Sequence, residues 1–461
     1  MNKLTGFFLW LVLPVLTQAQ TTFEVVFDGP EDEFGMGVEQ TTDGGYILSG
    51  FQDANMLLRR TDANGTELWS HTYGTANMDI GYCVRQTTDG GFILCGMYNG
   101  FGTDTLTLVR TDAAGNTQWI KHYRGTLGRD LGYAVQQTLD GGFIVCGSSG
   151  PSLDDVYVVR TDATGIVMWS STIDLGAGEM AMAVEQTADD GSIVLVQNSG
   201  VGNPDGELYL LRFDALGDTM WSRTIATPGP DEARGLAIAD DGGFIIAGGN
   251  GYPARDLLIV RTDDQGQEQW RQVHGDAQYD EMATDIHALP GGELALGGRK
   301  EDPNTGDIGM YLARTDATGT IQWERSFPRG AMSEALALDP TSDGGFVLFG
   351  STVEVVGMFA EFDSYLVKTD GAGYSSVEDA DARAPVLLLY PNPVRDRLFV
   401  QYDGTGTLRC IDATGRTVSS APVHNNGLIS LVVGNLEPGA YMLMVTSGQG
   451  RTNSARFVVD R

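Results

Sequence analysis

A tryptophan returns about every fifty residues along this chain. Trp69, Trp119, Trp169, Trp221, Trp270 and Trp323 are spaced by 50, 50, 52, 49 and 53 positions. Each follows an Asp-x-x-Gly segment, beginning at Asp62, Asp112, Asp162, Asp214, Asp263 or Asp316. Asp370 opens a seventh with no tryptophan behind it. A fixed period of this size settles the architecture before any single motif is weighed. In the unit from residue 74 to 119, four short runs alternate with turn signals. Residues 84–86 lead into Asp89-Gly90-Gly91, a tight turn that demands positive φ. Residues 92–96 and 106–110 read as apolar and half-buried strands, 112–115 as a second tight turn, and 118–123 as a fourth strand. Four antiparallel strands per repeat make one propeller blade, and the 3.6-residue periodicity of a helical solenoid is missing.

The first hairpin turn of each unit falls at Asp43, Asp89, Asp140, Asp189, Asp241, Pro290 and Asp343, which gives seven units. The last stops after Asp370, one strand short. Residues 23–29 (Phe-Glu-Val-Val-Phe-Asp-Gly) match residues 68–74 (Leu-Trp-Ser-His-Thr-Tyr-Gly) in pattern and supply the missing strand. Pairing the two removes the free edges of a linear array. The expected fold is all-β: a seven-bladed propeller over residues 21–370, closed by an N-terminal strand and followed by a small β-sandwich.

Residues 1–20 read as a secretory signal, with Lys3, an apolar stretch over 7–16 and Thr17-Gln18-Ala19 as the cleavage region. Residues 371–385 are small, polar and acidic, as in an exposed linker before a final domain at 386–461. Glycine accounts for 62 of 461 residues, in keeping with two tight turns per blade. The formal charge of −32 excludes a nucleic-acid partner, whose phosphates need Lys and Arg footprints. The four cysteines lack metal-ligand spacing. Cys95 and Cys146 share a slot with Ser49, Ala247 and Phe349 and read as core, while Cys83 and Cys95 lie across one hairpin near a pairing register.

The Asp-x-x-Gly-x-x-x-Trp segment resembles the tryptophan-docking repeat of quinoprotein-type propellers and, less closely, the Asp-box of sialidases. In both, it is a structural turn. The tail resembles the type A C-terminal sorting domain of type IX secretion cargo. The residues that carry this likeness are Tyr390, Pro391, Asn392, Pro393, Gly415, Gly439 and Tyr441, with Arg456-Phe457-Val458-Val459 near the end. The resemblance implies export across the outer membrane, the secretion machinery as partner, cleavage of the tail, and a secreted or cell-surface product.

Both tight turns of a blade lie on one face of a propeller. The irregular second-to-third connections at 52–55, 98–105, 149–155, 198–207, 249–256, 300–307 and 353–364 lie on the other, which places recognition there. Near that face, Glu33, Asp79, Asp130, Glu179, Asp231, Asp280 and Glu334 precede the inner strands. As a ring at the channel mouth they would gather Ca²⁺ or a cationic ligand. The alternative is that each caps its own crossover loop. No cofactor other than calcium is suggested. The five histidines fall in different slots. Nucleophile elbow, His-Glu-x-x-His and Walker motifs are all missing, so no catalytic residue is nominated. The reading is an exported propeller acting as a binding, adhesion or scaffold module for an extracellular protein or glycan. The alternative is a propeller glycoside hydrolase acting on polysaccharide or sialylated glycan.

Overall fold

Every repeat folds as an antiparallel four-stranded sheet. The structure, a computed structural model, describes residues 20–375 and 388–460 except 30–31, 76, 101–102, 126–127, 152–154, 177, 199–205, 226–229, 252–253, 276–278, 357–358, 391–392, 403–405, 413–415, 424–426 and 448–451. The expected signal, Gln20 excepted, and most of the expected linker therefore lie outside the described residues. The chain divides into two compact units at Ser375/Ser376. The expected linker residues 371–375 belong to the first: Asp370 accepts the Ala372 and Tyr374 amides, and Trp323 packs on Gly373.

In the first unit, the strands that begin the blades are Glu33–Gln40, Ile80–Gln86, Arg129–Gln137, Glu179–Gln186, Asp231–Ile238, Glu281–Ala288 and Met332–Pro340. Five blades are separate four-stranded sheets, and the sixth and seventh are joined through a parallel bridge between Ile308 and Met332. The seventh blade is completed by Phe23–Phe27, antiparallel to Phe359–Thr369. Val26 packs with Tyr365 and Val367, whereas Phe23 and Phe27 pack with Val38, Tyr46 and Leu48 of the first blade. The unit is a seven-bladed β-propeller closed by its N-terminal strand.

The register of that strand differs by one residue from the sequence alignment. Phe23 pairs with Lys368 as Trp69 pairs with Arg60, so Phe23, not Glu24, stands in the tryptophan slot. The reason is packing. A Cβ on Gly115 would lie 2.8 Å from the Trp69 ring, and the same clash joins Gly165 to Trp119, Gly217 to Trp169, Gly266 to Trp221, Gly319 to Trp270 and Gly373 to Trp323. Gly65 meets Phe23 in the same way. Each half-buried outer-strand aromatic thus seats on the next blade's turn glycine, all the way round.

A second staple recurs inside each blade. Arg60, Arg110, Arg160, Arg212, Arg261 and Lys368 are buried on the third strand and pair with the turn acids Asp43, Asp89, Asp140, Asp189, Asp241 and Asp343. In the sixth blade the turn reads Pro290-Gly291-Gly292 and Arg314 pairs instead with Glu293.

The second unit packs a three-stranded sheet (Leu388–Tyr390, Arg397–Tyr402, Gly427–Val432) and a four-stranded sheet (Gly406–Asp412, Thr417–Val423, Gly439–Ser447, Thr452–Val459). Leu398, Val400, Leu408, Leu443, Val445 and Phe457 form its core. Among the described residues, no helix is long and apolar enough to cross a membrane.

Candidate functional site at the channel mouth

Every inner strand carries a β-bulge at the same place. Pairing with the second strand skips between Gly35/Gly37, Gly81/Cys83, Gly132/Ala134, Ala181/Ala183, Ala233/Gly235, Ala283/Asp285 and Ala335/Ala337. The residue left unpaired is Met36, Tyr82, Tyr133, Met182, Arg234, Thr284 or Leu336. A bulge re-aims its extra side chain, and all seven line one cavity of about 570 Å³. Walls contributed by seven blades identify it as the central channel, and its volume lies in the range of small-ligand sites.

The lining mixes aromatic and sulfur-bearing side chains with charged ones, among them Arg85, Arg234, Glu232, Asp285 and Glu334. Tyr82 and Tyr133 meet edge to face at 5.2 Å, and Phe34 stacks on Phe51 and Phe362 at 4.8 and 4.5 Å. Phe362 belongs to the segment read from sequence as the irregular 353–364 loop. That segment is instead a hairpin, with Val353 opposite Phe362 and Val355 opposite Ala360. It extends the seventh blade and brings Phe362 to the rim. Arg234 is exposed to the cavity, and its charge lowers the pKa of both Tyr82 and Tyr133 against the larger effect of burial, which raises them. Two wall carboxylates are already paired, Glu232 with Arg255 at 3.0 Å and Glu334 with Arg299 at 3.0 Å. Among the described residues Arg234 makes no ion pair.

Of the acidic residues singled out in the sequence, Glu334 lines this cavity and the other six do not. Glu33, Asp79, Asp130, Glu179 and Asp231 are at most 2% exposed. Asp79 accepts the Thr75 and Asn99 amides, both at 2.6 Å; Asp130 accepts the Gly125 amide at 3.1 Å and Ser149 Oγ at 2.6 Å. Glu179 accepts the Leu175 amide at 3.0 Å, Asp231 the Asn250 side-chain amide at 2.8 Å, and Glu33 pairs with Arg59. The Thr75, Gly125 and Leu175 bonds tie crossover loops to inner strands, and the others reach the second and third strands, or the connection between them, of the same blade. Asp280 and Glu334 are one residue out of the slot: the equivalents five before Ile286 and Leu338 are Glu281, paired with Lys300 at 3.1 Å, and Ser333, which donates to the Phe327 carbonyl at 2.9 Å. Asp280 binds Arg255 and Arg299, and Glu334 reaches the cavity because the offset turns it inward. Among the described residues, Glu179 is the one of the seven that belongs to an acidic trio with ligand atoms within 4.8 Å of one another, beside Asp155 and Asp174.

Sequence reasoning missed a polar belt further down the channel. Asp339 accepts the Gln40 amide at 2.7 Å, Glu39 the Gln86 amide at 3.0 Å, and Gln136 the Gln186 amide at 2.5 Å, each across a blade boundary. Burial pushes the Glu39 carboxyl up to about 7 and also raises Glu185 and Asp339. The histidines stay apart: His274 meets the Gly319 carbonyl at 2.9 Å, the bond that Tyr73 and Tyr123 make with Gly115 and Gly165, and His122 meets Thr107. His424 lies outside the described residues.

In the second unit, Tyr441 is buried, donates to the Glu437 carbonyl at 2.9 Å and stacks on Phe457 at 5.6 Å; Tyr390 stacks on Phe399 at 5.8 Å. Pro393 and Gly439 are exposed, while Pro391, Asn392 and Gly415 lie outside the described residues. Residues 388–460 match the family of secretion system C-terminal sorting domains. The chain ends in a sorting domain. This tail implies engagement of the type IX secretion machinery and export to the cell surface or the exterior.

A regulatory protein, FlaEY, of Caulobacter vibrioides is 25% identical over 185 residues, covering 34% of this chain and 19% of that protein. The match thus spans about a fifth of that relative's length. Similar solved structures include a protein from Lactobacillus plantarum (12% identity, TM-score 0.46, 87% of this chain and 98% of that one). The β-propeller domain of the Trilobed protease from Pyrococcus furiosus is similar at 10% identity and a TM-score of 0.41, over 75% and 99%. A NanB sialidase mutant from Streptococcus pneumoniae is similar at 10% identity and a TM-score of 0.44, over 76% and 71%.

Proposed function

We propose that the propeller is an exported binding module that takes an acidic extracellular glycan at the loop-face mouth of its channel. The observation that carries this reading is Arg234, exposed and without an ion-pair partner among the described residues, beside Tyr82 and Tyr133 in a cavity of about 570 Å³. In a chain of net charge −32, a cation kept free of carboxylates marks the spot where an anion is favoured. The aromatic rings offer flat apolar faces to a sugar, and the guanidinium offers paired donors to its carboxylate. Glu232 and Glu334 are held by Arg255 and Arg299, and the third wall carboxylate, Asp285, accepts the Ile286 and Leu338 amides at 2.8 and 2.9 Å, so each already has partners of its own, and binding without turnover is expected.

The test is a glycan array probed with the exported protein, run beside a reducing-sugar release assay on every captured glycan. Capture of carboxylated glycans over neutral analogues, with no sugar released, supports the reading. Capture of neutral glycans alone, no capture at all, or release of reducing ends contradicts it.

A further inference from the structure

Cys83 and Cys95 are register partners on the first two strands of the second blade. Both are buried, and both sulfurs turn toward the third blade, Cys83 Sγ to the Val135 carbonyl at 3.8 Å and Cys95 Sγ to the Gly132 carbonyl at 3.6 Å. The repeat shows how close this slot brings two side chains. At the equivalent pair in the first blade, a Cβ on Gly37 would lie 2.6 Å from Ser49 Oγ. Side chains beyond Cβ on both partners therefore touch, which puts the two sulfurs within bonding reach after rotation about χ1. Other blades relieve the crowding by pairing Cys146 with Ala134, Ala247 with Gly235 and Phe349 with Ala337. Only the second blade sets two thiols against each other. The Cys83 thiol is the more acidic member, its thiolate favoured first by the hydrogen bond with Cys95 and also by Arg85, while burial pushes Cys95 up. Cys83 also lines the channel cavity.

We infer that Cys83 and Cys95 form a cross-strand disulfide in the exported protein, locking the inner hairpin of the second blade beneath Tyr82. Export carries the chain into compartments where disulfides form and persist. The Cys83 thiolate attacks a disulfide-bearing oxidant, giving a mixed disulfide and releasing one oxidant thiol. The Cys95 thiolate then attacks the Cys83 sulfur and expels the second. Two electrons pass to the oxidant, two protons leave the protein thiols, and the oxidant departs as a dithiol. Burial places this exchange before the ring closes.

The test is a thiol count on exported protein that retains residues 386–461, and so Cys410, purified without reductant, unfolded in the presence of N-ethylmaleimide and mapped by mass spectrometry. The expected result is two adducts, at Cys146 and Cys410, with the Cys83 and Cys95 peptides joined and about 2 Da light for the two hydrogens lost. Reduction first should give four adducts. Cys95→Ala, which places in this slot the residue that the fifth blade carries at Ala247, should give three adducts without reduction. Four adducts before reduction, or a bridge to Cys146 or Cys410, overturns the inference.

Discussion

Phe23 holds the ring shut, so Phe23→Ala should loosen one blade boundary selectively. Its ring lies against Gly65, meets Tyr46 edge to face at 6.0 Å, and heads the ladder from Phe23–Lys368 to Phe27–Ser364. Truncating a fully buried phenylalanine costs 3–5 kcal/mol, and this one is half-buried, so the expected loss is roughly 2 kcal/mol. Amide exchange over residues 365–368 should then quicken roughly thirtyfold, at about 1.4 kcal/mol per factor of ten. The assay is native-state hydrogen exchange by mass spectrometry, with residues 208–212 of the fourth blade as internal reference. A reciprocal variant isolates the contact. Gly65→Ala has a positive-φ penalty plus a clash with Phe23, and the clash should vanish in the Phe23→Ala background, leaving a non-additive double-mutant cycle. Unchanged exchange at residues 365–368, or strictly additive variants, would refute closure by this strand.

Two glycines separate turn strain from docking: Gly90→Ala (φ +84, nothing near) should cost about 1 kcal/mol, and Gly115→Ala (φ +79, against Trp69) at least twice that by urea denaturation. Equal costs would remove the docking argument. Asp79→Ala strips buried acceptors from the Thr75 and Asn99 amides and should cost roughly 2–4 kcal/mol, whereas a chelator should leave the melting temperature unchanged. A fall in melting temperature with chelator would instead support a cation role for the acidic slot. Glu39 titrates near pH 7 when folded because burial disfavours its charge. Its raised pKa means that the folded state holds the proton more tightly, so its contribution is full below about pH 4.5 and lost as pH rises through 7. Glu39→Gln should therefore be the more stable protein at pH 8, by up to roughly 3 kcal/mol, and indistinguishable at pH 4. Parallel stability curves across that range would contradict the assignment.

Shared features were legible in the sequence; singular ones were not. The tryptophan period and the paired turns fixed the blade count and its closure, because both report backbone geometry that every blade must repeat. The strap was misaligned by one residue because Gly29 was matched to Gly74, whereas the aromatic slot at Phe23 sets the register. Counting along the chain puts Asp280 in the acidic slot and Glu334 one step off it, while strand pairing assigns the slot to Glu281 and Ser333. The channel lining stayed invisible for a different reason. The bulge residue is methionine, tyrosine, arginine, threonine or leucine from blade to blade, so a search for what repeats passes over the positions where side chains differ. The arginine-to-acid staple was readable in principle: the sixth blade moves its acid from the turn to Glu293 and keeps Arg314 paired.

The most direct test of a ligand site built from bulge residues is calorimetric titration of an array-selected carboxylated glycan into the wild-type protein, Arg234→Gln and Tyr82→Ala. Losing one charge-assisted contact should weaken binding roughly ten- to a hundredfold in Arg234→Gln with the melting temperature unchanged. Tyr82→Ala should also weaken binding, and a neutral analogue of the glycan should be indifferent to the arginine substitution. Undiminished affinity in both variants would place recognition outside the channel and contradict the account.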